Sequence, residues 1–114
     1  MTATDCLFCK IAAGEIPAAV VAQDDQFFAF RDINPQAPTH VLVIPREHVT
    51  SLNEAERADA LGGLLLFAKK IASDEALGER GYRVVINTNA DAGQTVFHLH
   101  AHILGGRVMR WPPG

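Results

Sequence analysis

The strongest hydrophobic pattern in the chain is an alternation near its C-terminal end. In residues 97–103 every second residue is a histidine and the residues between them are apolar. A period of two predicts a β-strand with one buried face, because successive side chains of a strand point to opposite sides. We therefore expect His98, His100 and His102 on one face, about 7 Å apart in succession. The expected core-facing residues are Phe97, Leu99, Ala101 and Ile103.

Shorter apolar runs predict the rest of the sheet, with strands over residues 20–22, 26–30, 40–44 and 82–87. The Asp24-Asp25 pair between the first two indicates a hairpin. A short helix is expected over residues 6–13, ended by Gly14. Five strands, one short helix and one long helix predict an α+β domain with a mainly antiparallel sheet.

The long helix is predicted over residues 53–77, with Ser51 or Asn53 as its N-cap. The Gly62-Gly63 pair lowers helix propensity by about 1 kcal/mol per residue, which suggests a close backbone approach. The predicted apolar stripe is Ala58, Leu61, Leu65, Ala68 and Ala72, and it is widened by Leu64, Phe67 and Ile71. An apolar surface this wide indicates burial against the sheet and against a second subunit, so we expect a homodimer.

Composition narrows the function classes. The 114 residues, 48% hydrophobic and 20% charged, predict one globular domain over residues 1–114. The net charge of −3 and the scattered Lys and Arg residues argue against nucleic acid and anionic membranes as partners. There is no apolar run of membrane-spanning length and no signal-like N-terminus, so the expected location is cytoplasmic. The Cys6-x-x-Cys9 pair is read as reduced and as half of a metal site.

Three histidines on one strand face are suited to two chemistries, metal chelation and nucleophilic catalysis by an imidazole. The segment Gly93-Gln94-Thr95 supplies backbone N–H groups, an amide and a hydroxyl for anionic oxygens. Neither a P-loop nor a dinucleotide-binding glycine motif is present. Asp32 is either a ribose-hydroxyl acceptor or the cap of the turn at Asn34.

The triad HLHAHIL at residues 98–104 resembles the histidine-triad (HIT) superfamily. The stretches CLFCKI, DINPQAPTH, GQTVF and WPPG are similar to its HINT branch, the purine nucleoside phosphoramidases. This resemblance spans nearly the whole chain. It implies a homodimer whose two sheets join, and hydrolysis of AMP-amine conjugates to AMP and amine through a nucleotidyl-histidine. A dinucleoside polyphosphate hydrolase, a nucleotide-binding scaffold and a metal-dependent hydrolase remain as alternatives.

The resemblance also implies a role for each matching residue. His100 is the nucleophile, His102 binds phosphate and assists proton transfer, His98 orients His100 through its carbonyl, and His40 is a fourth histidine near the triad. The implied nucleotide contacts are Asp32 at the ribose, Phe30, Ile33 and Phe8 at the purine, Asn87, Gly93, Gln94 and Thr95 at the phosphate, and Trp111 at the partner subunit's site. The implied metal ligands are Cys6, Cys9, His48 and His98, for a structural zinc that catalysis does not require.

Overall fold

The computed structural model describes residues 5–114, and its framework is one antiparallel sheet. The strands are β1 (Val20–Gln23), β2 (Phe27–Arg31), β3 (Thr39–Pro45), β4 (Tyr82–Val85) and β5 (Ala101–Gly105). Their spatial order is β1-β2-β3-β5-β4, and every neighbouring pair is antiparallel. With the helices α1 (Leu7–Ala12) and α2 (Ala58–Asp74), this confirms the predicted α+β class and the strand count.

The predicted hairpin joins β1 to β2. Asp24 Oδ1 accepts hydrogen bonds from the backbone N–H groups of Gln26 at 2.8 Å and Phe27 at 2.7 Å. An aspartate side chain that bonds to the following backbone in this way stabilises a tight turn. The turn fixes the register in which Phe28 lies opposite Gln23.

The sheet separates two apolar clusters. On one face, Leu64, Ala68 and Ile71 of α2 pack against side chains from β2, β3 and β5. On the other face, Phe8 and Ile11 of α1 pack against the alternate residues of β2 and β3, which are Phe28, Phe30, Leu42 and Ile44. Burial of β3 on both faces explains its nearly continuous apolar sequence.

The long helix is shorter than predicted at both ends, since it spans Ala58–Asp74 instead of residues 53–77. Ser51 does act as a cap, but of a separate 3-10 helix (Leu52–Glu54), where its Oγ accepts from Asn53 N at 3.1 Å. Helix α2 begins only at Ala58, after Arg57, whose backbone is extended. Its buried positions are Leu64, Ala68, Ile71 and Ala72, spaced i, i+4, i+7 and i+8, whereas Leu65 is 50% exposed and Ala58 is exposed.

Gly63 makes the close approach that its sequence context indicates. A Cβ at Gly63 would lie 2.9 Å from Cζ of the buried Phe27, so only glycine fits there without displacement. At Gly62 an added Cβ would meet no atom within 4 Å. The cost in helix propensity is therefore explained at one of the two glycines.

The histidine strand is shorter than predicted, because β5 includes only His102 of the triad. Its ladder with β3 ends at the Ala101–Val43 pair. Beyond that pair β3 reaches Pro45, which has no N–H to donate. The alternation of faces persists in the extended chain: Leu99, Ala101 and Ile103 enter the α2-side core, although Phe97 is 37% exposed. Strand β4 also ends early, at Val85.

No helix in residues 5–114 combines the length and apolar character that a membrane crossing needs.

Candidate active site and metal centre

All five histidines of the chain lie in one band on the α1 side of the sheet. The ring centroids of His100 and His102 are 5.0 Å apart, those of His102 and His40 5.2 Å, and those of His98 and His48 5.1 Å. Phe8 lies beside both His98 and His100, with centroid distances of 6.1 and 5.1 Å. Three separated segments, around residues 40, 48 and 98–102, thus form a single site.

The hydrogen bond of His100 fixes which of its nitrogens is free. His100 Nδ1 lies 2.6 Å from the carbonyl oxygen of His98. Because a carbonyl only accepts, Nδ1 carries the proton and Nε2 carries the lone pair. Burial lowers the pKa of His100, opposed by the hydrogen bond to His98 and by the charge of Asp32. A neutral imidazole with a free Nε2 is the form that a nucleophile requires.

A chain of hydrogen bonds fixes the tautomers of His40 and His102. The backbone N–H of Gln36 donates to His40 Nδ1 at 3.0 Å, so neutral His40 carries its proton on Nε2. That nitrogen lies 2.9 Å from His102 Nδ1, which therefore accepts, leaving Nε2–H of His102 as a donor. Burial, with the neighbouring His100 and His40, lowers the pKa of His102 to about 4, which makes this ring neutral at pH 7.

Asp32 is the carboxylate that faces this group of imidazoles. Its Oδ1 accepts from Asn34 N at 2.8 Å, so the turn-capping role left open by the sequence is present. Its Oδ2 lies 3.5 Å from His40 Nε2. The negative charge acts against burial by raising the pKa values of His40, His100 and His102. The predicted ribose contact stays a prediction.

The histidines do not combine to hold one ion. Within residues 5–114, the groups whose ligand atoms lie within 4.8 Å of one another are Cys6, Cys9, His48 and His98, and Asp32, His40 and His102. His100 belongs to neither group. In the second group His40 Nε2 carries the proton set by Gln36, so its lone pair is not available to a metal. A metal shared by all three triad histidines is therefore not what this geometry favours.

The first group has the donor set and spacing of a zinc site. Cys6 Sγ lies 3.2 Å from His98 Nδ1, and Cys9 Sγ lies 3.3 Å from His48 Nδ1 and 3.5 Å from His98 Nδ1. A tetrahedral zinc with ordinary Zn–S and Zn–N bonds separates sulfur and nitrogen by about 3.5 Å. His98 Nε2–H donates to the carbonyl of Pro45 at 2.7 Å, which aims its Nδ1 lone pair at the thiols.

Protonation in this group also fits a cation. Burial and the neighbouring Cys6 raise the pKa of Cys9 to about 11, so this sulfur is a thiol at pH 7 and a bound metal ion would displace its proton. Burial lowers the pKa of His98 to about 4, which keeps the ring neutral for coordination. The buried Nε2 of His48 has no hydrogen-bond partner among the residues described. The residues therefore fit a structural zinc.

The residues that the resemblance implies as nucleotide contacts differ in their burial and in their hydrogen bonds. Phe8 and Phe30 are buried with ring centroids 5.4 Å apart, and Phe8 meets the His100 ring edge-on. The amide of Gln94 accepts from Asn89 N and donates to the carbonyls of Thr50 and Val96, so it supports the loop. The remaining implied contacts are the half-buried Asn87, the exposed Gly93 and Thr95, the fully exposed Ile33 and the 82% exposed Trp111.

The match with known proteins agrees with this geometry. The HIT domain model matches residues 13–109. A purine nucleoside phosphoramidase of Escherichia coli is 50% identical over 109 residues, which cover 94% of this chain and 92% of that protein. A 14 kDa zinc-binding protein of Zea mays is 53% identical over 112 residues, covering 95% and 87%. The crystal structure of a HIT family hydrolase from Legionella pneumophila has a TM-score of 0.95 at 54% identity, covering 96% and 100%.

The chain belongs to the HIT family. Two groups that orient the histidines of this HIT domain were missed in the sequence, the N–H of Gln36 and the carbonyl of Pro45. Both are main-chain atoms, which a side-chain pattern cannot indicate. The prolines themselves were the available signal, Pro35 and Pro38 around Gln36 and Pro45 at the end of β3, because proline fixes the local backbone.

Proposed function

We propose that this HIT protein is a hydrolase that cleaves the phosphorus–nitrogen bond of purine nucleoside 5′-phosphoramidates, of AMP-amine or AMP-lysine type. The observation that carries the proposal is the 2.6 Å hydrogen bond from His100 Nδ1 to the carbonyl of His98. It leaves the Nε2 lone pair free to attack phosphorus. The 50% identity to a purine nucleoside phosphoramidase supports the choice of substrate class.

In the first step His100 Nε2 bonds to the α-phosphorus while the bond from phosphorus to the amine nitrogen breaks. The anionic phosphate raises the pKa of His102, so this ring takes up a proton in the complex and passes it to the leaving amine. Asp32 Oδ2, 3.5 Å from His40 Nε2, is a second acceptor for the His40 proton while His102 is charged.

In the second step water attacks the nucleotidyl-histidine. The oxygen–phosphorus bond forms, the bond from phosphorus to His100 Nε2 breaks, and one water proton returns to His102. AMP and the free amine are the products, and both imidazoles regain their starting protonation in the complex. A zinc held by Cys6, Cys9 and the two histidines beside them would supply a structural cross-link, and no step passes through it.

The nucleotide would lie across the α1 side of the triad. We assign Asp32 to the ribose hydroxyls, and Phe8, Phe30 and Ile33 to the purine. The phosphate-side assignments are Asn87, Gly93, Gln94 and Thr95, with Gln94 acting through the loop that its amide supports. Trp111 is assigned to the site of a partner subunit, because its side chain is 82% exposed within one protomer.

The direct test is hydrolysis of adenosine 5′-phosphoramidate and of an AMP-lysine conjugate, with rapid acid-free quenching and mass spectrometry. We expect AMP release and a transient nucleotidyl adduct on the peptide that contains His100. The same assay on a diadenosine polyphosphate separates the two HIT branches, since we expect much slower turnover there. Loss of all turnover on brief chelation, with the fold intact, would contradict the histidine nucleophile and favour a metal-dependent hydrolase.

We also assign a homodimer. Its support is the outer face of α2, where Leu65 is 50% and Leu66 65% exposed, and the position of β4 at one edge of the sheet. An exposed apolar helix face and an open strand edge are each suited to contact with a second copy of the same chain. A joined sheet and the reach of Trp111 into the partner's site both depend on this assembly.

A further inference from the structure

Two residues, His98 and Phe8, connect the candidate metal ligands to the proposed nucleophile. His98 supplies Nδ1 to the group formed with Cys6, Cys9 and His48, and its carbonyl accepts the Nδ1 proton of His100. Phe8 lies in the chain between the two cysteines and contacts the His100 ring. We propose that metal binding by this group positions the His100 imidazole, through the His98 carbonyl and through the Phe8 ring. The kinetic part of this inference rests on the proposed function.

The first connection runs through the backbone of His98. Residues 96–100 lie outside β5, so the sheet ladder does not hold them, and Leu99 N donates instead to the carbonyl of Val49 at 2.6 Å. The His98 ring is fixed at Nε2 by the Pro45 carbonyl at 2.7 Å. Coordination at Nδ1 would replace the thiol contact of Cys6 at 3.2 Å by a metal bond and so fix the opposite edge. A ring held at both edges restrains its own main chain, and hence the carbonyl that sets the tautomer of His100.

The second connection runs through α1. This helix has six residues, too few to be stable by itself, and its N-cap is Cys6, whose Sγ accepts from Cys9 N at 3.4 Å. Ligation of both sulfurs would lock this first turn. Phe8 is on that turn, 95% buried, and its ring meets His100 edge-on at 5.1 Å with an interplanar angle of 85°. The Phe30 ring packs against the Phe8 ring in a T-shaped contact, with 5.4 Å between centroids.

The two connections meet the same imidazole at different places. The His98 carbonyl holds the Nδ1 side of His100, and Phe8 limits rotation of the ring plane. His98 and Phe8 are thus positioning residues rather than participants in bond changes. Loss of the metal is expected to release both restraints together, so that His100 samples other rotamers and the second tautomer. Supporting groups around a metal typically change activity by about 10- to 100-fold.

The deciding measurement is imidazole ¹⁵N NMR of the full chain, zinc-loaded and after dialysis against EDTA, with zinc content measured in both samples. We expect His100 to show one Nδ1–H tautomer with zinc, and a mixture or exchange broadening without it. A His100 signal that is identical in the two samples overturns the proposal, as does a protein that binds no zinc. This readout does not depend on substrate turnover.

Two zinc-loaded variants cover the case in which the metal-free protein unfolds. Phe8→Leu removes the ring contact and leaves all four ligands, so we expect partial tautomer mixing at His100. Leu7→Ala, in the same helix with a side chain 43% exposed, is the control and should keep the wild-type signal. Mixing of equal size in both variants would overturn the role of Phe8.

Kinetics then test the consequence with adenosine 5′-phosphoramidate. Removal of zinc should lower kcat about 10-fold in the wild type with little change in KM, and by a smaller factor in Phe8→Leu. An equal zinc effect in both proteins contradicts transmission through Phe8. Absence of turnover in every sample contradicts the proposed function alone, and the NMR comparison still decides the positioning role.

Discussion

At the scale of single residues, hydrogen-bond partners set the tautomers of His40, His100 and His102. The carbonyl of His98 gives His100 its free Nε2, and the N–H of Gln36 gives His40 the proton that it donates to His102. Residue types and spacing predicted that these side chains act together. The resemblance to the HIT superfamily implied the His98 carbonyl as the partner of His100. The N–H of Gln36 could not be predicted, because it is a backbone group that the fold places beside His40.

The proposed nucleophile leads to the first prediction. His100→Ala should lower kcat on adenosine 5′-phosphoramidate by at least about 10³-fold, since no other imidazole has an Nε2 lone pair at that position. AMP affinity, measured by calorimetry, should change little and serves as the control for folding. Turnover near the wild-type rate would exclude His100 as the nucleophile.

His102 leads to a prediction about pH. Its folded pKa is about 4, compared with about 6.5 in an unfolded chain. Between these values the unfolded state binds a proton that the folded state does not, so the free energy of unfolding should fall as the pH decreases from 6.5 to 4. Above pH 6.5 this contribution is constant.

Urea unfolding at a series of pH values, with zinc held constant, measures the effect. In His102→Gln, which removes the titrating ring, the dependence on pH over this range should be weaker than in the wild type. Equal pH slopes in the two proteins would show that burial of His102 does not contribute.

At the scale of elements, the sequence predicted types better than boundaries. The alternation in residues 97–103 placed Leu99, Ala101 and Ile103 correctly in the core, although only Ala101–Gly105 forms a strand. The ladder stops because Pro45 cannot donate and its carbonyl accepts from a side chain. The late start of α2 could not be predicted, because residues 54–57 are Glu-Ala-Glu-Arg and include no proline or glycine.

Gly63 provides the prediction for the α2–sheet contact. Gly63→Ala should destabilise the protein, because the new Cβ would lie 2.9 Å from Phe27, whose ring is itself held by Phe67 at 5.6 Å between centroids. Overpacking costs of about 1–3 kcal/mol exceed the gain of about 1 kcal/mol in helix propensity. Gly78→Ala, outside α2 and with no atom within 4 Å of the added Cβ, is the control for the substitution itself and should be near neutral. Thermal unfolding of both variants checks the difference, and equal stabilities would contradict it.

At the scale of the whole molecule, the wide apolar surface of α2 is divided by the fold. Leu64 and Ile71 belong to the core, while Leu65 and Leu66 remain outside. The sequence predicted the width of this surface but not which of its residues face the sheet. Only packing on β3 and β5 set the rotation of the helix, and it left a face suited to a second subunit.

The assembly prediction follows from that face. Leu66→Lys should shift the protein from dimer to monomer in sedimentation velocity, because it places a charge in an apolar interface. Leu52→Lys, at a side chain 41% exposed in the 3-10 helix, should leave the assembly unchanged. A wild-type chain that sediments as a monomer, or a Leu66→Lys variant that remains dimeric, would contradict the assignment.

The sequence by itself determined the α+β class, the order of the elements, the family and the residue types that meet at the site. These properties follow from local periodicity and from motifs, both of which involve residues close together in the sequence. Only the tertiary structure decided which nitrogens of His98 and His102 accept or donate, where β5 begins and which face of α2 is covered. Those outcomes depend on contacts between residues far apart in the chain, such as His40 with His102 and Pro45 with His98. His98 shows both kinds of information. Its spacing in the sequence identifies it as a triad member, and its tertiary contacts connect the candidate metal ligands to His100.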